Sequence, residues 1–454
     1  MENKYEMDMC NGPVLKKLLM FTLPLMCSSM LQLMFNAADV IVVGRFAGDN
    51  SLAAVGANTS LINLLTNLFI GVSIGANVLA SREYGGKREE ELSKTVHTSI
   101  FLGVVSGIVL AIVGVIFAPV FLKIMNTPEN IINLASVYLR ILFMGMPALM
   151  IYNFGSALLR SIGDTKRPLR YLSFSGIINV ILNLIFVVVL KMDVAGVALA
   201  TIISQYISAF LIISCLMREK GGVQLIVKDI RLYKEKFTEI IKVGLPAGFQ
   251  GVVFALSNVV IQSSINLFGE NVVAGNSSAA SIESFVYMGM NAFSQATLSF
   301  TGQNMGAGKY RRVDKIVIIS EICVTVTGLI LGFGVFFAGE YLLGIYTKST
   351  DVIMAGMNRI SVISTTYALC GIMEVMVGVL RGMGYSLMPM IVSVVGVCGL
   401  RLVWIAVVFN MEPYHNIFTV YASYPITWTI TIVAHTITFL AVRKKCYGQS
   451  ALKG

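Results

Sequence analysis

The segment Leu159-Arg160-Ser161-Ile162-Gly163-Asp164-Thr165-Lys166-Arg167-Pro168 returns as Leu380-Arg381-Gly382-Met383-Gly384-Tyr385-Ser386-Leu387-Met388-Pro389. Leu, Arg, Gly and Pro recur in register, 221 residues later. Two shorter signposts recur at an offset of 222: Leu23-Pro24 as Leu245-Pro246, and Gly86-Lys87 as Gly308-Lys309. The 454 residues therefore read as two tandem copies of one half, and such a repeat decides architecture ahead of any local reading.

Composition sets the solvent in which those halves fold. The chain is 56% hydrophobic and 13% charged, with a mean hydropathy of +0.79. A soluble domain carries about 25% charged residues, so this is an integral membrane protein. No cleavable leader is expected: Met1 to Lys17 is polar and charged, and the first apolar run is too long for a signal peptide. Seven scattered cysteines share no metal-ligand spacing and read as small buried apolar residues rather than disulfide partners. The three histidines stand apart in sequence, and no zinc site is expected.

A helix needs about 20 apolar residues to cross a bilayer. Twelve runs qualify: 18–44, 51–80, 93–118, 130–158, 170–190, 194–216, 240–267, 276–302, 315–339, 352–381, 387–409 and 417–442. Basic residues collect on one side of them, at Lys4, Lys16 and Lys17, around Arg82–Lys94, Arg160–Arg170, Arg218–Lys242 and Lys309–Lys315, and at Arg381 and Arg443–Lys453. The opposite side holds Arg45, Lys123, Lys191 and Lys348, while Arg140, Arg359 and Arg401 fall within or near spans. The positive-inside rule then puts both termini in the cytoplasm. The net charge of +10 is thereby topological, and nucleic acid is not an expected partner. Six spans per half give both halves the same orientation. The expected fold is all-α: twelve transmembrane helices as two six-helix bundles, related by a pseudo-two-fold along the membrane normal, around a central cleft. The expected domains are an N-terminal bundle (1–216), a cytoplasmic linker (217–239) and a C-terminal bundle (240–454).

The chain resembles the multidrug and toxic compound extrusion (MATE) family. The matching pieces are Leu23-Pro24, Asp39-x4-Gly44-Arg45, Gly85-Gly86-Lys87 and Leu159-Arg160-x2-Gly163-Asp164-Thr165-Lys166-Arg167-Pro168 in the first half. In the second they are Gly244-Leu245-Pro246, Gly302-Gln303-Asn304-Met305-Gly306-Ala307-Gly308 and Leu380-Arg381-Gly382-x-Gly384. The resemblance implies a V-shaped cleft between the bundles. It also implies multidrug efflux: export of cationic or amphipathic organic solutes by antiport against H+ or Na+.

Acids inside the membrane are the physical pointers to mechanism, because each costs at least roughly 2.5–3.5 kcal/mol unless neutralised, paired or wet. There are four: Asp39, Glu283, Glu321 and Glu374. Asp39 follows Pro24 in the same span, and Pro24 can hinge that helix. Asn179 and Asn183 are four apart and share a helix face, and Thr201 lies in the next span. One carboxylate, two amide oxygens and a hydroxyl are hard donors that suit Na+. The same carboxylate can carry a proton in place of the cation. The resemblance assigns the coupling-ion site to these four positions. Some members have Asp where this chain has Asn183, and one negative charge fewer weakens cation binding. A bland reading makes the Asn and Thr side chains ordinary interhelical glue. Some members also carry an acid in span 7, but Phe249 to Leu267 contains none, so a second site is absent or rebuilt around Glu283 or Glu374. Those two acids, with Tyr152, Tyr287, Met288, Met290 and Phe293, are candidate substrate-cleft residues. Glu321 reads as structural from its closeness to Lys315.

The competing function is a lipid-linked saccharide or lipid flippase of the same superfamily. The lack of basic residues in mid-membrane of spans 1 and 7 disfavours an anionic lipid. An enzyme is not expected, since no HExxH, P-loop or paired intramembrane aspartates occur. No cofactor beyond the coupling ion is expected. The expected partners are small organic substrates and membrane lipid, with the protein a monomer in a bacterial cell membrane.

Overall fold

The computed structural model describes residues 5–451. Lys4 and Lys453, used above for orientation, lie outside them. The first half contains α1 (Val14–Phe46), α2 (Asp49–Gly85), α3 (Glu89–Ile124), α4 (Glu129–Met144), α5 (Met146–Ser161), α6 (Lys166–Asn183) and α7 (Asp193–Arg218). The second contains α8 (Lys234–Ile265), α9 (Glu270–Gly306), α10 (Tyr310–Phe337), α11 (Gly339–Tyr346), α12 (Thr350–Ile363), α13 (Tyr367–Gly382), α14 (Leu387–Ser393), α15 (Leu400–Trp404) and α16 (Ile417–Ala451). No strand forms among the described residues. Helices close their own backbone hydrogen bonds, which a hydrocarbon solvent demands.

Ten helices among the described residues are long and apolar enough to span, or eleven if α4 and α5 count as one. Twelve were expected, and the two exceptions have separate causes. The run 130–158 breaks at Gly145 into helices bent by 44°. Pro147, in the first turn of α5, has no N–H to continue the ladder and crowds the preceding turn. The expected span 276–302 is α9, whose 37 residues reach roughly 55 Å. It falls short in apolarity because Asn276, Ser277, Ser278, Ser281, Glu283 and Ser284 interrupt its first half. Further along, its buried hydroxyls bond inside the protein: Ser294 donates to the Glu374 carbonyl at 2.7 Å and Thr297 to the Phe293 carbonyl at 2.7 Å.

The repeated motif is a turn that starts a helix. Asp164 Oδ1 accepts the backbone N–H groups of Lys166 (3.0 Å) and Arg167 (3.1 Å), satisfying amides that the first turn of α6 leaves open. The Arg167 guanidinium then ties Asp164 to Glu219. Gly163 and its copy Gly384 sit at φ 92° and 88°, a conformation that side chains resist. The loops after α2 and α9 match in the same way, with Lys87 at φ 54° and Gly308 at φ 69°. Their backbone register is 221, so the Gly86-Lys87 match to Gly308-Lys309 is displaced by one residue from the structural one.

By contact the chain divides into two units, Met1–Asp8 with Cys27–Gly248, and Met9–Met26 with Phe249–Gly454. The division falls inside α1 and α8 rather than in the linker, two residues past Pro24 and Pro246 respectively. In the first unit, the linker side chains Val223 and Leu225 are buried against Leu92, Val96 and Leu216. In the second, the Gly302–Gly308 motif holds the early chain. Gln303 Oε1 accepts the Met9 N–H at 3.3 Å, Asn304 donates to the Met9 carbonyl at 3.1 Å, and Arg312 donates to the Gly12 carbonyl at 2.7 Å. Of the cysteines, Cys215, Cys370 and Cys398 are buried as expected, whereas Cys27 is exposed.

An ion-pair network anchors the start of α8 within the first unit. Lys236 Nζ lies 2.5 Å from Glu83 Oε1 and 2.5 Å from Glu91 Oε2, and Thr95 donates to Glu83 Oε2 at 2.6 Å. Glu83 and Lys236 are both buried. Lys236→Ala therefore strands a buried carboxylate, and the folded protein is expected to lose about 3 kcal/mol, read as a lowered melting temperature in detergent. Lys236→Ala combined with Glu83→Gln should recover most of that loss.

Candidate functional site

Three helices of the first unit place four polar side chains together. Asp39 comes from α1, Asn179 and Asn183 from the last turns of α6, and Thr201 from α7. Asn183 Nδ2 donates to Asp39 Oδ1 at 2.5 Å and lies 3.3 Å from Asn179 Oδ1. The Thr201 hydroxyl has one proton and two acceptors in reach, Asp39 Oδ2 at 3.2 Å and the Val197 carbonyl at 2.9 Å. Asn179 Nδ2 donates to Thr201 Oγ1 at 3.4 Å. Asp39, Asn179 and Asn183 are buried, and Asn183 Oδ1 is buried without a hydrogen-bond partner among the described residues.

The local sequence explains how the helices come close enough. Gly176 stands one turn before Asn179, and the Phe35 ring, one turn before Asp39, occupies the space a side chain at 176 would fill. After Asn183 the helix widens into a π-type turn, Leu184–Val189, a distortion frequent at functional sites. The second unit has the same kind of turn at Ile405–Phe409, directly after Trp404, the repeat counterpart of Asn183. The repeat keeps the widened backbone and changes the chemistry. Gly176→Ala should force Phe35 aside and destabilise the protein by about 1–3 kcal/mol. A melting-temperature cycle with Phe35→Ala checks this, because the pair should be less than additive if the two side chains compete for one space.

The chemistry available is coordination or proton storage. The cluster offers one carboxylate, amide oxygens at Asn179 and Asn183 and a hydroxyl, all hard donors suited to a small cation. In the arrangement seen, the carboxylate is satisfied by N–H and O–H donors. Turning the Asn183 amide would present its unpartnered oxygen to a cation instead.

The other acids are held differently. Glu283 Oε2 accepts from Arg359 Nε (3.1 Å) and Nη2 (2.8 Å), and Ser364 donates to Oε1 at 3.4 Å. Arg359 Nη1 also donates to Asn276 Oδ1 at 2.8 Å. Glu283 is thus half of a buried ion pair rather than a lone acid. Glu374 is buried and shares its electrostatic surroundings with Arg381, which donates to Gln250 Oε1 at 2.9 Å. Tyr152 lies in the core of the first unit, its hydroxyl donating to the Pro168 carbonyl at 3.1 Å. In the second unit Met290 and Phe293 are buried, and the Met290 sulfur fills the space beside Gly328 and Gly371. Tyr287 and Met288 are half-buried.

Sequence reasoning missed the partners of Glu283. It placed Arg359 and Arg401 only within or near spans, yet both are buried side chains of the second unit. Arg401 stacks on Tyr424 at 3.9 Å and donates to Thr427 at 3.1 Å. The available signal was their very presence in apolar runs, where a guanidinium needs an acid or an aromatic face.

Comparison with known proteins extends over the whole chain. Residues 24–185 and 246–407 match the family model described as MatE. Probable multidrug resistance protein YoeA of Bacillus subtilis (strain 168) is 27% identical over 428 residues, 92% of each chain. Multidrug export protein MepA of Staphylococcus aureus (strain MSSA476) is 24% identical over 82% of each. The fold is that of a solved multidrug resistance transporter of the MOP superfamily, with a TM-score of 0.89 at 22% identity over 99% of each chain.

Proposed function

Because the chain belongs to the MatE family, both halves matching its model, we propose that it is a secondary active exporter of amphipathic and cationic organic compounds, driven by H+ or Na+ antiport. The observation that carries this reading is the buried convergence of Asp39, Asn179, Asn183 and Thr201. The multidrug resistance and multidrug export named for its relatives support export of small organic compounds. The flippase alternative has no comparable support.

Asp39 is the coupling residue in this reading. Ionised, it draws Na+ or H+ into a site where Asn179, Asn183 and Thr201 supply the remaining oxygens. Neutralised, it loses the charge that orients the Asn183 and Thr201 donors, and the grip of α1 on α6 and α7 changes. Pro24 lies about four turns earlier on the same helix and lets that change become a bend. Alternating access then follows if the ion and the substrate favour different states, since a ligand shifts a conformational equilibrium only by its differential affinity.

The test is uptake of a fluorescent organic cation into inverted vesicles or proteoliposomes under an imposed H+ or Na+ gradient. Export reads as accumulation that one of the two gradients drives and its ionophore collapses. Accumulation indifferent to both gradients would sink the proposal, and Na+ binding to the purified protein at fixed pH assigns the ion.

A further inference from the structure

The second unit contains an acid that belongs to none of the networks above. Glu321 lies in α10, at least roughly 16 Å from either end of that helix at 1.5 Å per residue. Both its carboxylate oxygens are buried, with no hydrogen-bond partner among the described residues. Its sequence neighbour Lys315, which suggested a structural role, forms no ion pair with it among the described residues. Glu321 instead forms part of the wall of a cavity of about 520 Å³ between α10, α13 and α16, whose other walls include Thr325, Ile372, Met376, Thr436 and Phe439. Ile322, Val326 and Leu440 on the same rim are exposed apolar side chains. In a chain that spans the bilayer, an exposed apolar rim of this kind suits contact with hydrocarbon, and a sideways opening into lipid accords with it.

We propose that this groove is a lateral binding site for a lipophilic monocation taken from the bilayer, with Glu321 as its counter-ion. The volume falls within the roughly 300–1,000 Å³ of drug-sized sites, and the apolar walls suit a hydrophobic body. A carboxylate without a partner in such surroundings is costly, and a guest cation supplies the missing charge. The flexible glutamate side chain can swing its carboxylate onto the guest, and Thr325 and Thr436 add hydroxyls. An acyl chain alone would leave the acid uncompensated, and an anion would be repelled. A metal ion would find one carboxylate among apolar walls. The site is separate from the Asp39 cluster and does not rest on the exporter reading.

The experiment uses the full chain in zwitterionic nanodiscs. Equilibrium binding of tetraphenylphosphonium is compared in wild type, Glu321→Gln, Thr325→Trp and Asp39→Asn. A diazirine-bearing lipophilic amine, cross-linked and mapped by peptide analysis, locates the guest. The expected result is cross-links on α10 and α16 around Glu321, Thr325 and Thr436. Glu321→Gln and Thr325→Trp should each weaken the binding at these helices by about tenfold or more, one by removing charge and the other by filling space. Asp39→Asn should leave it unchanged, and neutral triphenylphosphine oxide should not compete. Absence of cross-links from α10 and α16 overturns the proposal, and so does wild-type binding there in either the Gln or the Trp variant. Cross-links that persist when gradient-driven export fails would refute the exporter reading alone.

Discussion

Asp39→Asn should reduce gradient-driven export to background, a loss of at least about tenfold, while the protein still folds. The substitution is isosteric, and the new amide oxygen can accept from Asn183 as the carboxylate does at 2.5 Å. Folding is therefore expected to change by about 1 kcal/mol, the scale of one altered hydrogen bond. Coupling has no such tolerance. An amide cannot take up a proton in this range, and it offers a cation no charge to neutralise. The ion would then bind both states of the transporter equally poorly, and a ligand without differential affinity shifts nothing. The measurement is uptake under each imposed gradient, with the melting temperature as the control for folding. Full transport by Asp39→Asn under both gradients would remove the cluster from the mechanism. Asn183→Asp supplies the opposite arm: a second carboxylate beside Asp39 should strengthen Na+ binding, by the charge-count argument that governs hard cation sites.

Glu283→Ala should cost the largest amount of stability of any substitution considered, about 3–5 kcal/mol. Arg359 is buried and directs Nε and Nη2 onto one carboxylate oxygen of Glu283. Removing the acid leaves the guanidinium with Asn276 and the faces of Tyr421 and Tyr424, whose centroids lie 5.9 and 5.6 Å away. Cation–π contacts of that length are worth about 0.5–2 kcal/mol, too little to hold an unpaired buried charge. The expected readout is a collapse in folded yield and melting temperature. Glu283→Gln with Arg359→Met should regain most of the loss, because removing both charges removes the desolvation cost as well. A single Glu283→Ala variant as stable as wild type would show that the pair is idle.

The parts legible in the sequence were those carried by long runs and by contrast. Span positions followed from apolar length, and the four cluster residues stood out because a carboxylate and amides are conspicuous between Leu, Ile and Val. The repeat, too, was visible because its turns demand glycine at Gly163 and Gly384. What stayed hidden depends on which helices touch. No spacing shows that Phe35 rests on Gly176, since those residues lie on different helices far apart in sequence. Glu283 and Arg359 are 76 residues apart, so the acid alone read as a cleft candidate and the arginine alone as a charge within or near a span. The 44° break was a partial miss, since Pro147 was readable but a proline alone does not distinguish a kink from a broken helix. The α9 span was expected from length, and its polar first half proved to be buried only in part: Asn276 and Glu283 are buried, whereas Ser277 and Ser281 are exposed.

The membership of Met9–Met26 in the second unit has a consequence for biogenesis. Synthesis delivers this segment first, yet the groups that hold Met9 and Gly12 in place, Gln303, Asn304 and Arg312, emerge roughly three hundred residues later. The second unit therefore cannot close cotranslationally from its own half of the message. Its beginning must wait, already in the membrane, for its end to be inserted. A nascent chain stalled before Asn304 would carry an ordered first unit with an untethered start. Severing the chain within 217–239 would yield two fragments neither of which contains a whole unit, so that each would depend on the other's presence to finish folding.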